Sequence, residues 1–168
     1  MRDVFIVLGA GIIVVAIGIA VLAPEDKSMQ DPVAGTVPAT RTSVSAQELA
    51  HGERSTVVRR TNYLINSTSE LSEVWNMIET DAQQPEVDFT RNSVVAVFAG
   101  KKPTAGHDIE VTKVEDGIVR KVFLKLTSPG VSCLLAQSLT QPYQIIEIPK
   151  TSLAYAHEDT AITESCLR

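Results

Sequence analysis

Reactive side chains are few in this sequence and stand far apart. The three histidines are His51, His107 and His157, and the two cysteines are Cys133 and Cys166. A zinc centre needs three or four ligands converging on one ion, yet no H-x-H, H-E-x-x-H or C-x-x-C spacing occurs. Nucleophilic chemistry has no better footing, because there is neither a G-x-S-x-G elbow nor a phosphate-cradling P-loop. Asp88 is a candidate buried carboxylate, but a lone acid without a partner makes a poor general acid-base site. Its position after Val87 suits it instead to accept bonds from backbone amides in a turn. These residue types argue against an enzyme: no catalytic, cofactor-binding or metal-ligating set emerges. A small hydrolase would require a second titratable group beside Asp88 or His107.

Two stretches suit contact better than chemistry. The first is Gly100-Lys101-Lys102-Pro103-Thr104-Ala105-Gly106-His107. Its glycines permit positive φ, its proline stiffens the chain, and Thr104 can bond to nearby backbone. That describes a structural turn, and equally a rigid partner-contact loop that loses little entropy on binding. The second stretch is the long connection from Ser128 to Pro142, unusually apolar at Val131, Leu134, Leu135 and Leu139. It either plugs one end of the core or shows an adhesive surface to a partner, and plugging is the expectation. Cys133 lies in this connection. If the chain is exported, Cys133 and Cys166 form either a disulfide or two independent thiols. A disulfide would add about 3–4 kcal/mol.

The elements that must position these loops can be read in order. Ser55–Ile65 is a first strand candidate. Ser67 then serves as an N-cap with Glu70 three residues on, a capping box, and Leu71, Val74, Trp75 and Ile78 form one apolar helical stripe ending before Pro85. Trp75 is expected to pack in the core. Asn66-Ser67-Thr68 also spells a glycosylation sequon at Asn66, awkwardly placed at a helix start. Ser93–Ala99 is a continuous apolar run, as expected of a strand covered on both faces. His107–Val114 alternates until its phase slips, which marks a bulge. The turn Glu115-Asp116-Gly117 then leads into Ile118–Leu126, with Val122, Leu124 and Leu126 on one face. Tyr143–Pro149 is another strand, and Ser152–Ala156 a candidate last one.

The amino-terminal part is of another kind. Residues 4–23 contain no charged or strongly polar side chain. That length spans roughly 30 Å as a helix, the thickness of a bilayer's hydrocarbon core. A cleavable signal peptide is the competing reading, but Pro24 obstructs the best small-residue cleavage site and the apolar run is long for one. Arg2 and the amino terminus precede the segment, and Glu25, Asp26 and a single Lys27 follow it, so the amino end is expected in the cytoplasm and the bulk outside. The 168 residues carry a net charge of −5 without a basic stripe, which excludes nucleic acid as a partner. The expected organisation is a membrane anchor (1–23) contacting lipid through 4–23, a flexible Pro/Thr/Ser-rich linker (24–47), an extracytoplasmic domain (48–157) and a tail (158–168). The protein is thus expected in the cell membrane, with a single pass.

With these motifs in hand, the chain resembles the PrcB C-terminal domain family, named for a subunit of a surface protease complex. The matching stretches are Glu70-Leu71 to Trp75, Pro85-Glu86-Val87-Asp88-Phe89, Gly100 to Gly106, and Thr140-Gln141-Pro142-Tyr143 to Pro149. They occur in order and cover roughly residues 49–150. His107 departs from the pattern, standing where an aromatic residue is expected. The resemblance implies a small, mostly β domain acting as an accessory or stabilising subunit, with no catalytic residues to carry over. Separately, Pro103-Thr104-Ala105-Gly106 is similar to the P-T-x-G-aromatic loop of chagasin-type cysteine-protease inhibitors, which makes inhibition through Pro103–Gly106 an alternative function. The fold class expected is α+β: a mostly antiparallel sheet, sandwich- or barrel-like, packed with one helix and preceded by one transmembrane helix. The function expected is non-catalytic binding of another envelope or surface protein, a protease among the candidates.

Overall fold

The strand at the centre of the domain is β4 (Asn92–Phe98), and its sequence explains its place. Every residue from Ser93 to Ala99 is buried, because the strand has packing partners on both faces. In the computed structural model, which describes residues 40–166, Val94, Ala96 and Phe98 point to one core and Val95, Val97 and Ala99 to another. The period-two alternation of a strand delivers its apolar side chains to both. β7 (Tyr143–Pro149) pairs antiparallel with β4 and divides likewise, sending Tyr143 and Ile145 one way and Ile146 and Ile148 the other.

Two more strands complete this first sheet, in the order β2-β7-β4-β3, with β2 spanning Gln47–Gly52 and β3 spanning Thr61–Ile65. The helix α1 (Thr68–Trp75) covers one face, burying Leu71 and Val74. Its start is fixed by the capping pair: the Ser67 hydroxyl accepts from the Glu70 N–H at 3.3 Å, and the Glu70 carboxylate accepts from the Asn66 N–H at 2.7 Å. The reciprocal bond thus reaches one residue further back than in the usual box. Trp75 packs half-buried at the rim of the helix core and donates from Nε1 to the Ala82 carbonyl at 3.3 Å.

The second sheet, in the order β1-β5-β6-β8, covers the other face. It comprises β1 (Thr42–Val44), β5 (Asp108–Asp116), β6 (Arg120–Pro129) and β8 (Tyr155–Glu164). Ile109, Val114, Val122 and Leu124 fill the space between the sheets. The slip of phase in β5 is a bulge between Val111 and Lys113. At that bulge the Val111 N–H donates across the sandwich to the side-chain oxygen of buried Gln144, at 2.6 Å. All pairings are antiparallel except β6 with β8, which is parallel.

Several sequence expectations change here. The two sheets are separate, so the barrel alternative is set aside in favour of two layers plus a helix. Ser55–Arg60 is not strand: Ser55 makes an isolated bridge to Ile78 and donates through its hydroxyl to the Gln141 carbonyl, leaving only Thr61–Ile65 in the sheet. The linker assigned to 24–47 already contains β1 and the first residue of β2. The tail assigned to 158–168 contributes seven residues, Glu158–Glu164, to β8, where a candidate strand at Ser152–Ala156 had been expected. Among the described residues no helix is long and apolar enough to cross a membrane. The candidate anchor at 4–23 lies outside the described residues.

Candidate functional site

The two loops singled out in the sequence meet at one end of the sandwich. Gly100 follows β4 at φ 75°, and a Cβ there would lie 2.9 Å from the backbone of Arg59 and Arg60. Only glycine lets the chain turn this closely past that backbone. Gly106, at φ 79°, closes the loop, and its would-be Cβ meets a Leu135 methyl at 3.3 Å. Between the glycines the backbone is tied to its neighbours. The Lys101 N–H donates to the Val58 carbonyl at 3.1 Å. Lys102 and Thr140 exchange both backbone bonds, at 2.7 and 3.1 Å. The Thr140 hydroxyl donates to the Thr104 carbonyl at 3.0 Å, and the Ala105 N–H to the Ala136 carbonyl at 3.3 Å. Loops 100–107 and 130–140 are therefore one hydrogen-bonded surface.

The apolar loop does not plug the core. Val131 and Leu134 are fully exposed, at 110% and 102%, and Leu139 is 55% exposed. Only Leu135 folds inward, over Gly106. The reason lies in how the loop is held. Cys133 and Cys166 form a disulfide with Cα atoms 5.1 Å apart, and the Gly130 N–H donates to the Glu164 carbonyl at 2.7 Å. Both attachments fasten the loop to the end of β8, at the flank, while Pro142 and Tyr143 already occupy the core.

His107 sits half-buried at the start of β5, with Nδ1 buried and without a hydrogen-bond partner. Burial, and secondarily the charge of Lys102, lowers its pKa below the ordinary 6.5. The other histidines lie elsewhere. His51 bridges the two sheets by bonding Asp108 at 2.7 Å, with Glu48 at 3.7 Å. His157 on β8 stands 4.0 Å from Asp159. Nothing in the sequence signalled the His51–Asp108 bond, whose partners are 57 residues apart. Among the described residues no group of three or more His, Cys, Asp or Glu could hold a metal ion.

Asp88 is exposed rather than buried, and its carboxylate organises a turn. It accepts from the Thr90 hydroxyl at 2.5 Å, the Thr90 N–H at 3.0 Å and Arg91 Nε at 2.7 Å. Those bonds, led by the Thr90 hydroxyl, hold its pKa down at about 2. Asn66 is exposed, and its amide oxygen accepts from the Ser93 hydroxyl at 2.7 Å. The opposite end of the sandwich is fastened by buried Arg120, which bonds both oxygens of Asp116 at 2.6 and 2.7 Å and also the Pro149 carbonyl.

This is an α+β domain of two packed sheets and one capped helix, whose distinctive surface is a pair of fused loops at one end. Residues 93–149 match the family model described as PrcB C-terminal. The match runs from β4 through β7 and takes in both loops, in agreement with the family that the motifs resemble. No curated protein and no solved structure matches the chain.

Proposed function

We propose that this chain is a non-catalytic accessory domain, anchored in a membrane and held outside the cytoplasm, that binds and stabilises another envelope or surface protein. The observation that carries the reading is the loop end itself. Large aliphatic side chains held out in water by a disulfide and a hydrogen-bonded frame lose their hydration only when something covers them. The family match supports a protease-complex subunit as the partner. The test is co-purification after gentle membrane extraction, comparing the unaltered chain with Leu134→Asp/Leu139→Asp. The partner is expected to be lost from the variant while the fold is kept. Equal recovery with both chains would refute binding through this surface.

A second reading, inhibition of a protease by insertion of Pro103–Gly106, draws on the rigid mounting of that loop between Gly100 and Gly106. Replacing Gly106 and Thr104 would then abolish inhibition without unfolding the domain. Absence of inhibition across cysteine proteases removes it.

A further inference from the structure

The loop end also differs from the rest of the molecule in charge. Segments 99–107 and 129–142 contain Lys101 and Lys102 and no carboxylate, in a chain whose net charge is −5. Arg59 lies alongside, since its backbone is what Gly100 packs against. Among the described residues, none of these three cations is paired with an acid. The neighbouring carboxylates are already engaged: Asp108 by His51, Asp159 by Arg60 and Glu110 by Lys125. Glu53 and Glu164 adjoin the loops, their backbone carbonyls accepting from Gln141 and Gly130, and the charge of Glu164 acts on Lys125. The charge of Lys102 is also felt nearby, at His107, where it adds to the effect of burial.

Greasy side chains and unneutralised cations therefore share one end of the sandwich. Arg59, Lys101 and Lys102 form its charged part, and Val131, Leu134 and Leu139 its apolar part. An anionic lipid surface and an acidic protein surface both complement such an end. The position outside the cytoplasm proposed above favours the protein, because the strongly anionic leaflet of a membrane is the cytoplasmic one. Thr42 pairs with Asp116, at the hairpin end of β5, whereas the loops adjoin Asp108 at the other end.

We infer that the partner surface is a protein segment of aliphatic residues rimmed by Asp or Glu, seated on Val131, Leu134 and Leu139 with its carboxylates against Arg59, Lys101 and Lys102. This rests on reading the loop end as the binding surface, and specifies its chemistry. The rim charges steer and orient, and the aliphatic contact holds.

The test places a photoreactive amino acid at Leu134 of the full-length chain in intact cells, and identifies the adduct by mass spectrometry. The expected adduct is a protein peptide with at least two acidic residues close to the cross-linked position. Its yield is expected to fall about tenfold in Lys101→Glu/Lys102→Glu, since several weak exposed charge pairs change sign together. Washed membranes in high salt should show the same loss with the sequence unchanged, which covers the case of a poorly folded variant. Arg41→Glu, at the hairpin end, should leave the yield intact. A protein adduct indifferent to both charge reversal and salt overturns the acidic partner while leaving the binding surface standing. A phospholipid adduct, or none, overturns both.

Discussion

Breaking the Cys133–Cys166 disulfide should cost the domain much of its stability. The bond joins residues 33 apart in sequence. In the chain-entropy account, a closed loop of that size restricts the unfolded ensemble by about 12 cal/mol/K, or about 3.7 kcal/mol at 25 °C. For a domain of this size each kcal/mol moves the midpoint by about 4 °C, so Cys133→Ala/Cys166→Ala should melt about 15 °C lower. The assay is thermal and urea unfolding of the oxidised chain and the double variant, with thiol titration confirming the oxidised state. Because the effect acts on the unfolded chain, the folded spectra of the two should coincide at low temperature. A difference below about 1 kcal/mol, with the disulfide shown intact, would refute the argument, since the unfolded chain would then not feel the constraint.

Other outcomes follow from single positions. Gly100→Ala should destabilise by about 3 kcal/mol in urea titration, combining the positive-φ penalty of about 1–2 kcal/mol with displacement of the Arg59–Arg60 backbone. Gly106→Ala should cost less, because the obstacle there is a movable Leu135 methyl. Leu134→Asp should change stability by less than about 0.5 kcal/mol, while Leu124→Ala in the inter-sheet core should cost about 2–5 kcal/mol. Asp88 titrates at about 2 in the folded chain, below the ordinary 3.8. Its stabilising contribution is therefore present above pH 3.8 and lost as the pH falls toward 2. Asp116, lowered by its bond to Arg120, acts in the same direction. Unfolding measured against pH should show this acid limb, and Asp88→Asn should flatten it.

Much of the fold was legible in the sequence wherever burial leaves a periodic mark. The unbroken apolar run of β4, the Ser67–Glu70 cap and the phase slip in β5 each have one physical cause, and each appears in the structure. The strand β8 was hidden because its residues, from Tyr155 to Glu164, are mostly exposed and polar. A sheet edge facing water has no need of an apolar pattern. β1 was hidden by brevity, three residues within a Pro- and Thr-rich stretch. Both candidate loops were visible as loops, but not their union, which depends on backbone bonds between Lys102 and Thr140. Composition alone also favoured burying Val131 and Leu134. What keeps them out is the attachment of their loop to the β8 end, a fact of tertiary structure.

The parallel pairing of β6 with β8 has a consequence for how the protein is made. β6 is finished at Pro129, yet its second neighbour arrives only with residues 155–164. A chain emerging amino end first, from a ribosome or through a membrane, presents the helix-bearing sheet while the other still lacks its flank. Clipping that flank would therefore remove a whole partner of β6 and the sulfur that moors the apolar loop.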